Sequence, residues 1–352
     1  MRYKTQNIIL LGFAGIAAGL FLFRTSTHAQ TQPFNLITSP LPIDLSTKPG
    51  QTVSADLRVK NNSPAPEKLQ VNLYKFGVDA NSKVTLSEKQ TGDDFMDWVT
   101  FTPSSFTAEP NVWKTVKMTI NPPKDAALGY YYAVGFARAG QPQQPSSTGA
   151  AFKGQVITFV LLDVDVPGAK RELKVTEFSA DKSTYEFLPA TFTVKVKNTG
   201  NVHVVPAGTI FIKRGGKTVA TLPINPGQGN VLPNSTRTFT ATWADGFPVY
   251  VPKIKDGKPV SNKDTTTAMT LKWDFNNPLS KFRAGEYSAK LLLVYDDGQR
   301  DVPVEGNLNF WVMPWRILAV FILIIGILSF FIYRYRALKK QVKSHETKEP
   351  KT

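Results

Sequence analysis

The chain contains no cysteine. That removes disulfide staples, thiol nucleophiles and cysteine-type zinc sites together. An exported domain of this composition must hold itself with its hydrophobic core. The same absence points to an envelope that does not depend on disulfide formation, as in many Gram-positive-type bacteria. Histidine is almost as scarce, with three in 352 residues. His28 and His345 sit near the two ends, which leaves His203 alone in the interior. A His-based triad or a multi-His metal site lacks its partners, so His203 reads as a structural or solvated side chain. Helical periodicity is also missing: between Gln30 and Phe310 no useful stretch repeats at the helical period.

What is present begins with two apolar runs. Ile317–Tyr333 (ILAVFILIIGILSFFIY) is preceded by Trp311 and Trp315 and followed by Arg334, Arg336, Lys339 and Lys340. Aromatic residues on one side and basic residues on the other mark a membrane-spanning helix, and Trp311–Tyr333 is long enough at about 35 Å to cross a core of about 30 Å. Thirteen Ile, Leu, Val or Phe between Ile317 and Ile332 favour insertion by about 4–8 kcal/mol. At the other end, Arg2 and Lys4 precede an apolar run from Ile8 to Phe23, and Thr27 and Ala29 occupy the small-residue positions before Gln30. This is the layout of a secretory signal over residues 1–29, with an uncleaved signal anchor as the alternative. The tail, residues 334–352, carries seven Lys/Arg against Glu346 and Glu349, so the positive-inside rule places it in the cytoplasm and the rest outside.

Topology accounts for much of the formal net charge of +15. The exported part holds 31 basic and 25 acidic residues, a weak excess over about 280 positions. No basic helix or basic–aromatic cluster supports nucleic-acid binding.

Between the ends, short segments alternate every two residues. Thr52–Lys60 puts Val53, Ala55, Leu57 and Val59 on one face, and Lys68–Tyr74 puts Leu69, Val71 and Leu73 together. Val112–Ile120, Tyr130–Ala137 and Val156–Val166 follow. After Pro167-Gly168 the pattern restarts with Glu172–Phe178, Ala190–Asn198, Gly208–Lys213, Lys217–Leu222, Thr236–Trp243, Thr267–Phe275, Glu286–Tyr295 and Val302–Trp311. This predicts antiparallel strands with one wet face. Val53–Ser63 matches Ala190–Gly200 when Asn61 is set over Asn198, an offset of 137 residues that fits one domain each. The expected fold class is all-β: two tandem immunoglobulin-like β-sandwiches, residues 30–168 and 169–310, then a transmembrane helix over 311–333. Gly140–Gly149 is expected to be a hairpin loop, and Val249–Thr266 a Lys-rich insertion without strands.

The carboxylate groups Asp93/Asp94/Asp97, Asp163/Asp165 and Asp296/Asp297 read as turns or solvated faces rather than catalytic pairs, because a sandwich seldom supplies the cleft. No metal or cofactor is expected, and the chain reads as a non-enzyme. Asn61 and Asn234, each followed by an x-Ser/Thr pattern, read as turns. Trp98, Trp113, Trp243 and Trp273 read as core fillers. The candidate ligand-binding residues are Tyr130, Tyr131 and Tyr132. In a strand they alternate faces, so one face is core and the other offers a ring that can stack on a sugar or a partner.

The order of features resembles a known family. Pro49-Gly50, VKNNS (Val59–Ser63), LQVNLYKF (Leu69–Phe76), Trp98 and Val112–Ala139 are similar to the peptidoglycan-binding-type domain of the WxL-interacting proteins. VLPNST (Val231–Thr236), RAGEYSAKLLLVYDDG (Arg283–Gly298) and NLNFWVMPWRI (Asn307–Ile317) resemble that family's host-binding domain. The resemblance implies a membrane-anchored, wall-binding protein that holds secreted surface proteins or host ligands. The expected partners are therefore cell-wall glycan or a secreted surface protein, with the membrane held by one helix. An adhesin or assembly factor working by β-strand addition is the alternative, and a sugar-processing accessory protein a further one.

Overall fold

A computed structural model describes residues 35–79, 83–140, 154–255, 257–261 and 267–346. The expected signal segment, most of the loop Gly140–Gly149 and the last residues of the tail lie outside these.

The first sandwich comprises β1 (Leu36–Ser39), β2 (Ile43–Thr47), β3 (Val53–Asn61), β4 (Glu67–Val78), β5 (Val84–Ser87), β6 (Val99–Thr102), β7 (Ser105–Ala108), β8 (Trp113–Ile120), β9 (Leu128–Arg138) and β10 (Gln155–Val164). One sheet runs β1-β3-β8-β6 and the other β2-β10-β9-β4-β5, with β7 also on β4. The alternation in β3 has the expected outcome: Leu57 and Val59 are buried against Val116, Met118 and Ile120 of β8 and against Tyr132, Val134 and Phe136 of β9. Each such side chain contributes about 1.5–3 kcal/mol of burial.

The second sandwich opens with β11 (Leu173–Ala180), β12 (Thr184–Tyr185), β13 (Ala190–Asn198), β14 (Ala207–Arg214), β15 (Lys217–Ile224) and β16 (Thr236–Trp243). An insertion follows, with β17 (Val249–Pro252), β18 (Ile254–Lys255), β19 (Lys258–Pro259), β20 (Met269–Lys272) and the short helix α1 (Pro278–Lys281). The fold closes with β21 (Gly285–Asp296) and β22 (Asp301–Val312), and the chain continues into α2 (Trp315–Glu346). The sheets are β11-β13-β16 and β12-β22-β21-β14-β15. Their shared core holds Phe192, Val194 and Val196 against Ile210, Leu291, Trp243, Tyr287 and Phe310. The fold is thus all-β, two immunoglobulin-like sandwiches followed by one apolar helix.

Two details differ from the sequence reading. The Lys-rich insertion is not strand-free: β17 pairs with β20, and β18 with β19, as two small ribbons. The helix also begins later than residue 311, because Trp311 and Val312 still pair with Glu286 and Gly285 in the sheet. Only Met313 and Pro314 separate strand from helix, and proline, which has no N–H, suits such a change of backbone. In α2, Trp315–Lys339 is 25 residues with none of its apolar stretch buried. At about 38 Å that is long enough to cross a bilayer core.

Candidate functional site

The first sandwich does not have the single wet face expected of it. Along β10, Val156, Val160, Leu162 and Val164 enter the core between the sheets, whereas Ile157, Phe159 and Leu161 point to the outer face. There they join Tyr74 and Phe76 of β4 and Ala133 of β9 in a separate apolar cluster, which Leu232 of the second sandwich covers in part. The signal was in the sequence. Tyr130–Phe136 and Val156–Val164 are nearly continuous apolar runs, the mark of strands covered on both faces.

The edge of this sheet is only half paired. Over Val160–Val164, β10 has β9 on one side and β2, running parallel, on the other. The partner stops at Ile43, preceded by Leu41 and Pro42. Along Gln155–Phe159, β9 pairs one side, and no strand among the described residues pairs the other. Alternate residues there direct backbone N–H and C=O groups outward.

Beside this edge lies a cavity of about 720 Å³ between the two sandwiches. Leu41, Pro42, Phe76, Val84, Ile157, Phe159 and Leu161 form its apolar wall, and Gly229, Asn230, Leu232 and Arg237 form the wall opposite. Leu41 is 58% exposed at the mouth. Arg237 donates from Nη1 to the Asn230 carbonyl at 2.6 Å, and desolvation lowers its pKa, with no carboxylate among the described residues to oppose it. The cavity therefore offers apolar surface, a strand edge that no described strand pairs, and an Arg237 that no described carboxylate pairs.

The joint between the sandwiches is specific. Asp163 at the end of β10 pairs with Arg171 at 2.5 Å, and Asn201 accepts the Lys170 N–H at 2.7 Å and donates to the Gly168 carbonyl at 3.0 Å. His203 has its Nε2 3.7 Å from Asp44 and stands edge-on to Tyr131 with ring centroids 5.8 Å apart. Burial pushes the His203 pKa down, although Asp44 and Asp163 oppose that. His203, which had no partner near it in sequence, finds its neighbours across the joint.

Of the three candidate tyrosines, Tyr132 is buried and Tyr130 and Tyr131 are half-buried. Tyr132 is fully buried, its hydroxyl donating to the Phe95 carbonyl at 3.2 Å. Tyr130 packs on Phe95 and Trp98, with centroids 5.5 and 4.7 Å away. Tyr131 faces the second sandwich and meets His203. Burial raises the pKa of Tyr131 and Tyr132 well above the ordinary phenol range. Of the four tryptophans read as core, Trp243 is buried, but Trp113 and Trp273 are 38% and 49% exposed. Arg58 lies over the Trp113 ring at 4.9 Å, a cation–π pair on the sheet surface.

The carboxylate groups serve the fold. Asp93 pairs with Lys75 at 2.6 Å, which holds its carboxyl below the usual range, and Asp97 pairs with Lys89. Asp296 and Asp297 accept the N–H groups of Gly298, Gln299 and Arg300 in a turn. Among the described residues no group of three His, Asp or Glu is placed to hold a metal ion.

No protein-family model and no curated protein matches the chain. Among solved structures it is similar to the YadV chaperone, at 16% identity over 78% of this chain and 99% of that one, with a TM-score of 0.32. It is also similar to the CupB2 chaperone of Pseudomonas aeruginosa, at 13% identity over 78% and 100%, TM-score 0.32. A third similarity is to the class 5 fimbriae chaperone CfaA, at 13% identity over 80% and 100%, TM-score 0.32. At such identity and overlap the fold rests on the strand pairing above, and the function on the residues of this chain.

Proposed function

We propose that this chain is a membrane-anchored, non-catalytic surface-assembly protein that holds an extended segment of a secreted partner by β-strand addition. The observation that carries this is the half-edge Gln155–Phe159, unpaired among the described residues and lying against an apolar cavity. Five residues of edge match about 17 Å of extended chain. Main-chain hydrogen bonds to the edge would give affinity, and alternate apolar side chains entering beside Ile157 and Phe159 would give register. Arg237 favours a segment carrying a carboxylate at the cavity mouth. The helix α2 would keep the protein at the cell membrane, with the sandwiches outside.

We prefer strand addition to wall-glycan binding because a stacking platform needs an open ring, while Tyr132 is buried and Tyr130 and Tyr131 are half-buried against Phe95, Trp98 and His203. Membership in the WxL-interacting family belongs to the same proposal, since a protein holding secreted surface proteins needs a site of this kind.

Panning a random short-peptide library on the full chain in lipid nanodiscs tests the reading. Enriched peptides should alternate apolar and polar residues, and Phe159→Asp or Leu41→Asp should abolish their retention while far-ultraviolet circular dichroism stays unchanged. Selection of peptides without alternation, or equal retention by the folded Phe159→Asp variant, would overturn it. Retention on purified peptidoglycan that survives both substitutions would return the glycan reading.

A further inference from the structure

The second sandwich has two distinct ends. At one end Leu173 pairs with Asn198 and Asp296 with Asp301, and the loops there carry Leu232 and His203 to the first sandwich. At the other end Ala190 pairs with Trp243 and Gly285 with Val312. The helix α2 departs from this second end. The whole segment 244–284 also leaves and returns there.

That segment is tied to the start of α2. Tyr250 donates its N–H to the Leu188 carbonyl at 2.8 Å, and its hydroxyl lies 3.4 Å from Glu186 Oε2. The other oxygen of Glu186 lies 3.4 Å from Arg316 Nε, in the first turn of α2. One step away, Val249 pairs with Lys272, and Trp273 follows. Phe247 stands edge-on to Trp273 at 5.7 Å and to Phe275 at 5.4 Å, and its N–H donates to the Lys281 carbonyl at 2.9 Å. Around this fixed ring the apolar side chains are open: Trp273 is 49%, Phe275 72% and Leu279 92% exposed. Trp311, near the end of β22, and Trp315, at the start of α2, are open as well.

A single exposed apolar residue needs no account. A tryptophan and a phenylalanine packed on Phe247, with an exposed leucine on the same segment, at the one end from which an apolar helix leaves, are a different matter. Tryptophan favours the headgroup level of a bilayer, and apolar side chains beside it gain by entering the acyl boundary. The charge agrees: the described residues of segment 244–284 carry six Lys/Arg against two Asp, and the β14–β15 tip adds Arg214 and Lys217 at the same end. Anionic headgroups attract such a face.

We infer that Trp273, Phe275 and Leu279 form a second membrane contact, which enters the interfacial layer of the bilayer that α2 crosses and sets the second sandwich upright on it. The inference rests on α2 being the anchor. It adds an orientation, because an anchored domain with two contacts cannot rotate freely about a two-residue connection.

The absence of cysteine makes the test direct. Single-cysteine variants of the full chain, Asn276→Cys, Gln299→Cys and Leu328→Cys, would be labelled with an environment-sensitive dye and reconstituted in phosphatidylcholine–phosphatidylglycerol nanodiscs with and without brominated lipid. Residue 328 reports the anchor, 276 the proposed contact and 299 the opposite end of the sandwich. The expected result is strong quenching at 328, several-fold more quenching at 276 than at 299, and loss of the 276 signal when Phe275→Ser and Leu279→Ser are added. Both substituted side chains are exposed and lie outside the core of the sandwich. Quenching at 328 with none at 276 overturns this inference and leaves the anchor intact. No quenching at 328 overturns the anchor, and the inference with it.

Discussion

Asn61 and Asn198 do the same work in the two sandwiches. Each is fully buried at the end of a core strand. The Asn61 amide donates to the Ala65 carbonyl at 2.8 Å and the Ala108 carbonyl at 3.0 Å, and its oxygen accepts the Ser63 N–H at 2.8 Å. Asn198 donates to Val202 at 2.7 Å and Val231 at 2.9 Å, and accepts the Gly200 N–H at 2.8 Å. Two of the three partners keep the repeat offset of 137 residues.

Replacing either asparagine by alanine strips partners from two carbonyls and one N–H in a dry site. Asn61→Ala and Asn198→Ala should each destabilise their own sandwich by about 3 kcal/mol, on the order of what unsatisfied buried polar groups cost. Denaturant titration with a tryptophan reporter checks this, and a loss under about 0.5 kcal/mol would mean that water replaces the amide.

Gly200 occupies the repeat position of Ser63 but cannot carry a side chain. A Cβ there would collide with the Lys170 carbonyl oxygen and stand 2.9 Å from the Glu172 nitrogen. Both are backbone, so the connecting segment would have to move. Gly200→Ala should speed proteolysis between residues 167 and 172 while leaving the first sandwich intact; unchanged cleavage would show that the segment yields without opening.

The joint should weaken in acid. His203 faces Asp44 of β2, Tyr131 of β9, Asp163 of β10 and Arg171 of the connection, and burial keeps its folded pKa below the unfolded value. A depressed pKa stabilises the fold fully above the unfolded value of about 6.5 and loses that contribution as pH falls toward the folded value. The midpoint of thermal unfolding should therefore fall between about pH 7 and pH 5, and His203→Gln should flatten that part of the profile. Identical slopes in the two proteins would exclude His203 as the cause.

Leu232 is the second sandwich's plug in the outer face of the first, 6% exposed beside Phe76, Ala133 and Leu161. Leu232→Ala should cost about 2 kcal/mol of coupling. Calorimetry would then show two unfolding transitions in place of one, and a single transition at an unchanged midpoint would mean that the polar joint suffices.

Much of this architecture can be read from the chain. Val53–Val59 and Ala190–Val196 display their alternation, and Asn61 over Asn198 marks the repeat. β1 and β2 are harder to see because Pro40 and Pro42 interrupt the segment that forms them. The ribbons of the insertion are two to four residues long, too short to show a period. The candidate site is hidden for another reason. Its walls come from Phe159 and from Arg237, remote in sequence, and only the joint brings them together. The continuous apolar run in β10 nevertheless marks a strand covered on both faces, where two-residue alternation does not apply.

The connection between β22 and α2 has a mechanical meaning. All twelve residues of β22 are in register with β21. Were a partner held as proposed, a pull between it and the membrane would run along this strand, loading the ladder lengthwise so that its hydrogen bonds resist together instead of parting one by one. With only Met313 and Pro314 as slack, tension on a partner held as proposed would reach the bilayer almost undamped, through the longest strand ladder of the fold.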